Sequence, residues 1–225
     1  MEAPVIGASR RGLPLAIWAV GAVVVLAFLG FYPTYFGLFP AFAGTSASIH
    51  FHVATLLLWL ALAVVQPALV RRRNIALHRR LGKLSYGLLP LLCLGFVLAM
   101  NDGQRRHPNP DLILATMFDA GLFVFFAAMG IGYRHRPALH AGYMKLTLVP
   151  FLDPTLGRLL SPVVGVTVAL LVILALLVRA LAKKQEARPY IVGAAFFVAA
   201  LTALFAVMTA RPDLARSLWQ AMYGA

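Results

Sequence analysis

Charged residues are scarce in this chain, and acidic ones most of all. Only 12% of the 225 residues are charged, seven of them Asp or Glu, while 61% are hydrophobic. A soluble domain carries about 25% charged residues, so this chain has too little polar surface to cover a globule in water. The composition excludes an ordinary soluble protein and predicts an all-α integral membrane protein.

Cysteine pairs and several catalytic signatures are also missing. Cys93 is the single cysteine, which excludes an intramolecular disulfide. The sequence contains no HExxH, no GxSxG and no glycine-rich phosphate loop before a helix. No lysine lies in the last apolar stretch, which excludes a retinal Schiff base there. These absences assign no catalytic residue and leave enzymatic activity undecided.

Long apolar runs are abundant instead. A membrane-spanning helix needs about 20 mostly apolar residues. The sequence predicts seven such spans, at residues 13–33, 47–70, 81–100, 112–132, 141–160, 162–182 and 190–210. The fifth is the weakest because Pro150, Asp153 and Pro154 interrupt it, and six spans remain if it is re-entrant. The whole chain is expected to be one transmembrane domain, and its tail, 211–225, to end in a short interfacial amphipathic helix.

The basic residues are distributed unevenly about these spans. With seven spans and a cytoplasmic N-terminus, fifteen of the 20 Lys and Arg residues lie on the cytoplasmic side. These are Arg10, Arg11, Arg71, Arg72, Arg73, Arg79, Arg80, Lys83, Arg134, Arg136, Lys145, Arg179, Lys183, Lys184 and Arg188. Such an excess is typical of cytoplasmic loops. The net charge of +13 therefore predicts a cytoplasmic N-terminus and an outer C-terminus, with attraction to anionic lipid and no nucleic-acid binding.

Ionisable and amide side chains inside the spans are confined to the second to fifth. They are His50, His52, Gln66, His78, Asp119, His140, Asp153 and Arg158. A polar group at bilayer depth is costly unless it faces a partner or a cavity. The second to fifth spans, about 47–160, are therefore predicted to form an inner four-helix bundle. The more apolar helices at 13–33, 162–182 and 190–210 are predicted to be peripheral.

A short internal repeat relates two parts of this bundle. Residues 72–84 match residues 134–146 at a constant offset. The identical pairs are Arg72/Arg134, Ala76/Ala138, Leu77/Leu139, His78/His140, Lys83/Lys145 and Leu84/Leu146. The repeat predicts a duplicated two-helix unit, with His78 and His140 at one depth at the starts of the third and fifth helices.

The pattern of this histidine pair is compatible with more than one role. Two neutral imidazoles facing each other across a bundle are the ligands of a six-coordinate haem b iron. Arg72, Arg79 and Arg134 are placed to meet the haem propionates. The residues leave three alternatives open. The histidines could bind another metal or a quinone, or they could simply contact lipid phosphate where the two helices begin.

A second polar group is predicted toward the outer side. His50, His52, Asp119 and Asp153 supply nitrogen and oxygen ligands that suit a divalent metal, or groups that could handle protons. Residues two apart on a helix point about 200° apart, so one of His50 and His52 faces inward. Interhelical hydrogen bonds, His52 to Asp119 or Asp153 to Arg158, are the alternative interpretation.

The segment between residues 50 and 83 carries a composite motif, HxH…W…Q…HRxLG. Its members are His50, His52, Trp59, Gln66, His78, Arg79, Leu81 and Gly82. The motif resembles that of a group of uncharacterised bacterial multi-pass membrane proteins, in which an Asp and a second His follow in later helices. Asp119 and His140 fill those places, and the likeness covers about residues 31–160. The resemblance implies a bacterial inner membrane protein. This sequence departs from the family pattern at Val53 and at Ala141-Gly142.

A more distant resemblance is to the di-haem transmembrane cytochromes b that use ascorbate, which also have four-helix cores with His ligands near helix ends. The leading hypothesis, which rests on the paired histidines at repeat-equivalent positions, is electron transfer or haem handling with His78 and His140 as axial ligands. One alternative is a non-catalytic accessory or assembly subunit of a larger membrane complex. The other is a metal or proton transporter that uses the outer His and Asp residues.

Overall fold

A computed structural model describes residues 13–211 and 213–224, with side chains from Val20 onward. In this part of the chain every regular element is a helix and no strand is present. The helices are α1 (Leu13–Phe31), α2 (Ala47–Arg71), α3 (Ile75–Gly82), α4 (Leu84–Arg106), α5 (Pro110–Gly132), α6 (Pro137–Leu146), α7 (Leu152–Leu159), α8 (Pro162–Ala182), α9 (Arg188–Ala210) and α10 (Leu214–Tyr223). Short 3₁₀ turns lie at Phe36–Leu38 and Val149–Phe151.

Local sequence signals start several of these helices. Ser46, Asn74, Asn109 and Ser161 each cap a helix by accepting a backbone N–H three residues ahead. Such caps satisfy amide groups that have no partner inside the helix. Proline lies in the first turn of α5, α6 and α8, where its missing N–H costs nothing.

Five helical segments are long and apolar enough to cross a membrane. They are Ala47–Arg71, Ile75–Arg106 (α3 and α4 together), Pro110–Gly132, Pro162–Ala182 and Arg188–Ala210. In α1, the part described with side chains, Val20–Phe31, is a shorter apolar helix. The all-α architecture with several apolar helices is thus confirmed, whereas the count of seven spans stays a prediction. Arg10 and Arg11, two of the fifteen basic residues predicted on the cytoplasmic side, lie outside the described residues.

The predicted fifth span is not one continuous helix. It consists of α6, the 3₁₀ turn Val149–Phe151 and α7. Pro150 and Pro154 have no N–H to donate to the preceding turn, so the α-helical hydrogen-bond ladder is interrupted there. The interruption expected from the sequence is therefore present.

The most extensive packing joins α2 with α4 and α5 with α6. Helix α7 packs extensively against both α8 and α1. The larger buried cluster includes Phe118, Leu146, Ile173 and Phe197, so it extends from α5 through α9. A smaller cluster surrounds Trp59 between α2, α4 and α5. The hydrophobic core thus includes α8 and α9, and the inner bundle of residues 47–160 remains a prediction.

The tail forms the expected helix. Helix α10 packs against α5 and, less extensively, α9. Its apolar side chains Leu214, Leu218 and Trp219 are partly buried, whereas Arg216 and Gln220 are exposed. Pro212 and Ala225, which belong to the predicted tail, lie outside the described residues.

Candidate functional site

The two helices that carry the paired histidines begin at equivalent positions. Helix α3 starts at Ile75 and α6 at Pro137, which the repeat aligns with each other. The backbone N–H of His78 donates to the Asn74 carbonyl at 3.1 Å, and that of His140 donates to the Arg136 carbonyl at 2.9 Å. Both histidines therefore occupy the first turn of their helices, as the repeat predicts.

The His78 and His140 rings meet at one end of the helices. Their centroids are 6.3 Å apart and their planes are nearly perpendicular, at 83°. Both side chains are half-buried. Two imidazole nitrogens, each about 2 Å from one metal ion, would place the ring centres roughly 6 Å apart. The spacing therefore suits a single metal-containing group bound by both rings.

His140 has the hydrogen bond expected of a ligand histidine. Its Nδ1 lies 2.7 Å from the carbonyl oxygen of Gly130 in α5. Because a carbonyl can only accept, Nδ1 carries the proton and donates, which leaves a bare Nε2 on the neutral ring. Ligand histidines usually donate their second ring N–H to such an oxygen, which fixes the ring and the tautomer. The Gly130 carbonyl thus prepares Nε2 of His140 to bind a ligand.

His78 is held by a different partner. The side-chain amide of Gln66 in α2 lies between the backbone N–H of Gly82, which can only donate, and the His78 carbonyl, which can only accept. These two groups orient the amide with its nitrogen toward His78, where it donates to Nδ1 and, at 3.2 Å, to the carbonyl. The Gln66 amide oxygen accepts the backbone N–H of Gly82 at 2.9 Å. In this orientation of Gln66, Nδ1 of His78 accepts, which corresponds to the tautomer with its proton on Nε2. That tautomer is the opposite of the one assigned to His140.

Three basic side chains lie at the same end as the histidine pair. Arg72, Arg79 and Arg134 are all exposed. Within the described residues the ion pairs are Arg106–Asp102, Arg188–Glu186 and Arg211–Asp213, and none of them involves these three arginines. Their guanidinium groups can therefore meet an external anion, such as a carboxylate or a lipid phosphate.

The structure separates the two histidines of the HxH motif. His50 faces the segment between α1 and α2, where the Tyr35 hydroxyl lies 2.8 Å from Nδ1 and the Phe42 ring meets it edge-on. Burial raises the pKa of the Tyr35 hydroxyl above its usual value, so it stays a donor at neutral pH. His52 packs instead against Phe96 of α4. One histidine faces inward and the other does not, as the helical spacing predicts.

His52 belongs to a buried polar group at the opposite end from the histidine pair. The carboxyl groups of Asp119 in α5 and Asp153 in α7 are neighbours that interact with each other. Nδ1 of His52 and Oδ1 of Asp119 are both buried and have no hydrogen-bond partner among the described residues. Two carboxyl groups make a favourable contact when a proton lies between them. This arrangement suits proton binding.

Arg158 lies close to this polar group without pairing with it. Its guanidinium donates to the Pro154 carbonyl at 2.9 Å and lies 4.4 Å above the Phe31 ring. In the described part of the chain, neither the Asp153–Arg158 ion pair nor the His52–Asp119 hydrogen bond is formed. No three His, Cys, Asp or Glu side chains among the described residues form a metal-binding group. His50, His52, Asp119 and Asp153 therefore do not form one ligand set here.

Several contacts at these sites have no signal in the sequence. Gly130 contributes a backbone carbonyl, which any residue would have. Thr147 accepts the indole N–H of buried Trp59 at 3.2 Å across helices. Gln66 was recognisable as a motif residue, and its spacing seven residues from Trp59 places both on one face of α2. Its bond to His78 depends on the angle between α2 and α3.

Comparison of the chain with protein-family models, curated proteins and solved structures finds no match in any of the three.

Proposed function

We propose that this chain is an electron-transfer or haem-handling protein of the bacterial inner membrane that binds haem b between His78 and His140. The observation that carries the proposal is the 6.3 Å separation of two imidazole rings from repeat-equivalent helix starts. The bare Nε2 of His140 supports it, because a ligand nitrogen must offer its lone pair. When bound, haem iron supplies one-electron transfer.

The surrounding residues have distinct roles in this proposal. His140 is ready to bind through Nε2, with the Gly130 carbonyl orienting its ring. His78 becomes a ligand when its proton moves from Nε2 to Nδ1. The exposed Arg72, Arg79 and Arg134 hold the propionates, since guanidinium groups form paired hydrogen bonds with carboxylates. The end that carries these arginines is the cytoplasmic one, in keeping with the distribution of basic residues.

An absorption spectrum tests the proposal. Protein purified in mild detergent from haem-replete cells should show a Soret band that shifts on reduction with dithionite. His78→Ala and His140→Ala should each abolish the band or move it to that of a five-coordinate haem. His135→Ala removes an exposed imidazole from the neighbouring loop and should leave the spectrum unchanged.

A colourless, folded wild-type protein would contradict haem binding. If the double variant His78→Ala/His140→Ala also kept its normal abundance and copurified with a larger membrane complex, the accessory-subunit function would be favoured instead. That function requires no chemistry at the histidine pair.

A second function, proton transport through the opposite end, is favoured by the Asp119–Asp153 contact. A proton fits this group better than a metal ion because no metal-binding group of three side chains forms among the described residues. In liposomes carrying a pH-sensitive dye, Asp153→Asn should abolish proton flux. Asp111→Asn, at an exposed position of α5, should retain it. Equal flux in wild type and Asp153→Asn would exclude this function.

A further inference from the structure

The Gln66 amide lies against the last turn of α3. One side of the amide faces the carbonyl of His78 and the other side faces the N–H of Gly82. Helix α3 runs to Gly82, and the Lys83 N–H still donates to the Arg79 carbonyl at 3.3 Å. The amide therefore contacts two backbone groups of an intact helical turn.

These two backbone contacts determine which way the amide points. The Gly82 N–H can only donate and the His78 carbonyl can only accept, so the amide oxygen faces Gly82 and the nitrogen faces His78. The same nitrogen donates to Nδ1 of His78. Backbone groups that cannot exchange roles therefore decide where the imidazole proton lies. At His140 the Gly130 carbonyl has the opposite effect.

We infer that Gln66 sets the tautomer of His78 and thereby controls whether His78 can bind a metal-containing group through Nε2. The second half of this statement rests on the proposed haem function. A neutral imidazole that carries its proton on Nε2 has no lone pair there. Ligation requires the proton to leave Nε2 and another to occupy Nδ1, with no net change in protonation.

The Gln66 amide must turn at the same time. Its oxygen would then accept from Nδ1–H of His78, and its contacts with the backbone of α3 would be lost. Gln66 is thus a positioning residue for His78, with one orientation for each state of the site.

The nitrogen resonances of the imidazoles test the tautomer directly, without haem. In ¹⁵N-histidine-labelled full-length protein in detergent micelles, with His78 assigned by comparison with His78→Ala, wild type should show a protonated Nε2 and a bare Nδ1. Gln66→Glu should reverse this, because a carboxylate can only accept. Gln185→Glu makes the same change at an exposed position and should leave His78 as in wild type. A wild-type His78 protonated at Nδ1 would overturn the inference, even if the Gln66 variant failed to fold.

Binding of haemin tests the control over ligation. Gln66→Glu should bind haemin about tenfold more tightly than wild type, since residues that orient ligand histidines commonly change metal affinity by about that factor. Gln185→Glu should bind as wild type does. Equal affinities of wild type and Gln66→Glu would overturn the control by Gln66. Absence of binding in every variant, together with the expected tautomers, would instead defeat the haem function and leave the tautomer assignment standing.

Discussion

The two polar centres of this protein differ in how completely their hydrogen bonds are formed. At the histidine pair, Gln66 and the Gly130 carbonyl each engage one Nδ1 atom. At the opposite end, the His52 Nδ1 and Asp119 Oδ1 atoms are buried without partners in the described part of the chain. The first centre therefore has its Nδ1 atoms hydrogen-bonded, whereas the second has buried polar atoms that are not hydrogen-bonded to any described residue.

This difference indicates what each centre is suited for. The Gly130 carbonyl keeps the His140 ring oriented with a bare Nε2 before a cofactor arrives, which lowers the cost of binding it. Buried polar atoms without partners cost about 1–3 kcal/mol each, so a proton or a water molecule that satisfies them is bound favourably. The histidine pair accordingly supports a cofactor site, and the Asp119–Asp153 contact supports a proton site.

The largest expected change in stability comes from adding a methyl group where α8 packs tightly against Asp153. A Cβ atom on Gly165 of α8 would lie 2.5 Å from the Asp153 carbonyl oxygen and 2.6 Å from its Oδ1. Gly165→Ala should therefore push α7 and α8 apart and lower the free energy of unfolding by about 3 kcal/mol. Thermal denaturation in detergent measures the change.

Gly121→Ala is the matched control, because a Cβ at Gly121 in α5 meets nothing within 4 Å. It should be at least as stable as wild type. If Gly165→Ala proved as stable as Gly121→Ala, the close approach of α8 to Asp153 would be wrong, and with it the geometry of the proton site.

Smaller changes in the unfolding free energy, in opposite directions, are expected when one polar residue of each centre is replaced. Gln66→Leu removes an amide whose bonds are formed and should lower the unfolding free energy by about 1–2 kcal/mol. Asp119→Asn supplies an N–H donor to the Asp153 carboxylate and should leave stability unchanged or raise it by about 1 kcal/mol. Chemical denaturation of both variants in the same detergent provides the comparison. A larger loss in Asp119→Asn than in Gln66→Leu would reverse the contrast between the centres.

Much of the fold could be predicted because its signals are local. Apolar runs of sufficient length predict the helices that correspond to α2, α4, α5, α8 and α9. Pro150 and Pro154 predict the interruption between α6 and α7. The packing of α8 and α9 into the larger core was not predicted, because apolar side chains that face lipid and those that face protein are chemically alike. The difference lies in which residues of other helices are opposite them.

The candidate sites were predictable in part for the same reason. The repeat predicted that His78 and His140 lie in the first turns of α3 and α6. This prediction was possible because it concerns only the position of each residue along its own helix. The spacing of His50 and His52 predicted that they face different ways. The partners Gly130, Thr147 and Gln66 could not be assigned, since each contact joins residues from different helices.

What the sequence by itself determined is the all-helical, apolar class of the protein and the positions of its polar residues along the helices. Both follow from hydrophobicity and helical periodicity, which depend on neighbouring residues alone. What the tertiary structure decided is which group faces each of the two histidine rings that the sequence had already paired. The side chain of Gln66 faces His78 and the Gly130 carbonyl faces His140, and such contacts exist only after the helices have packed.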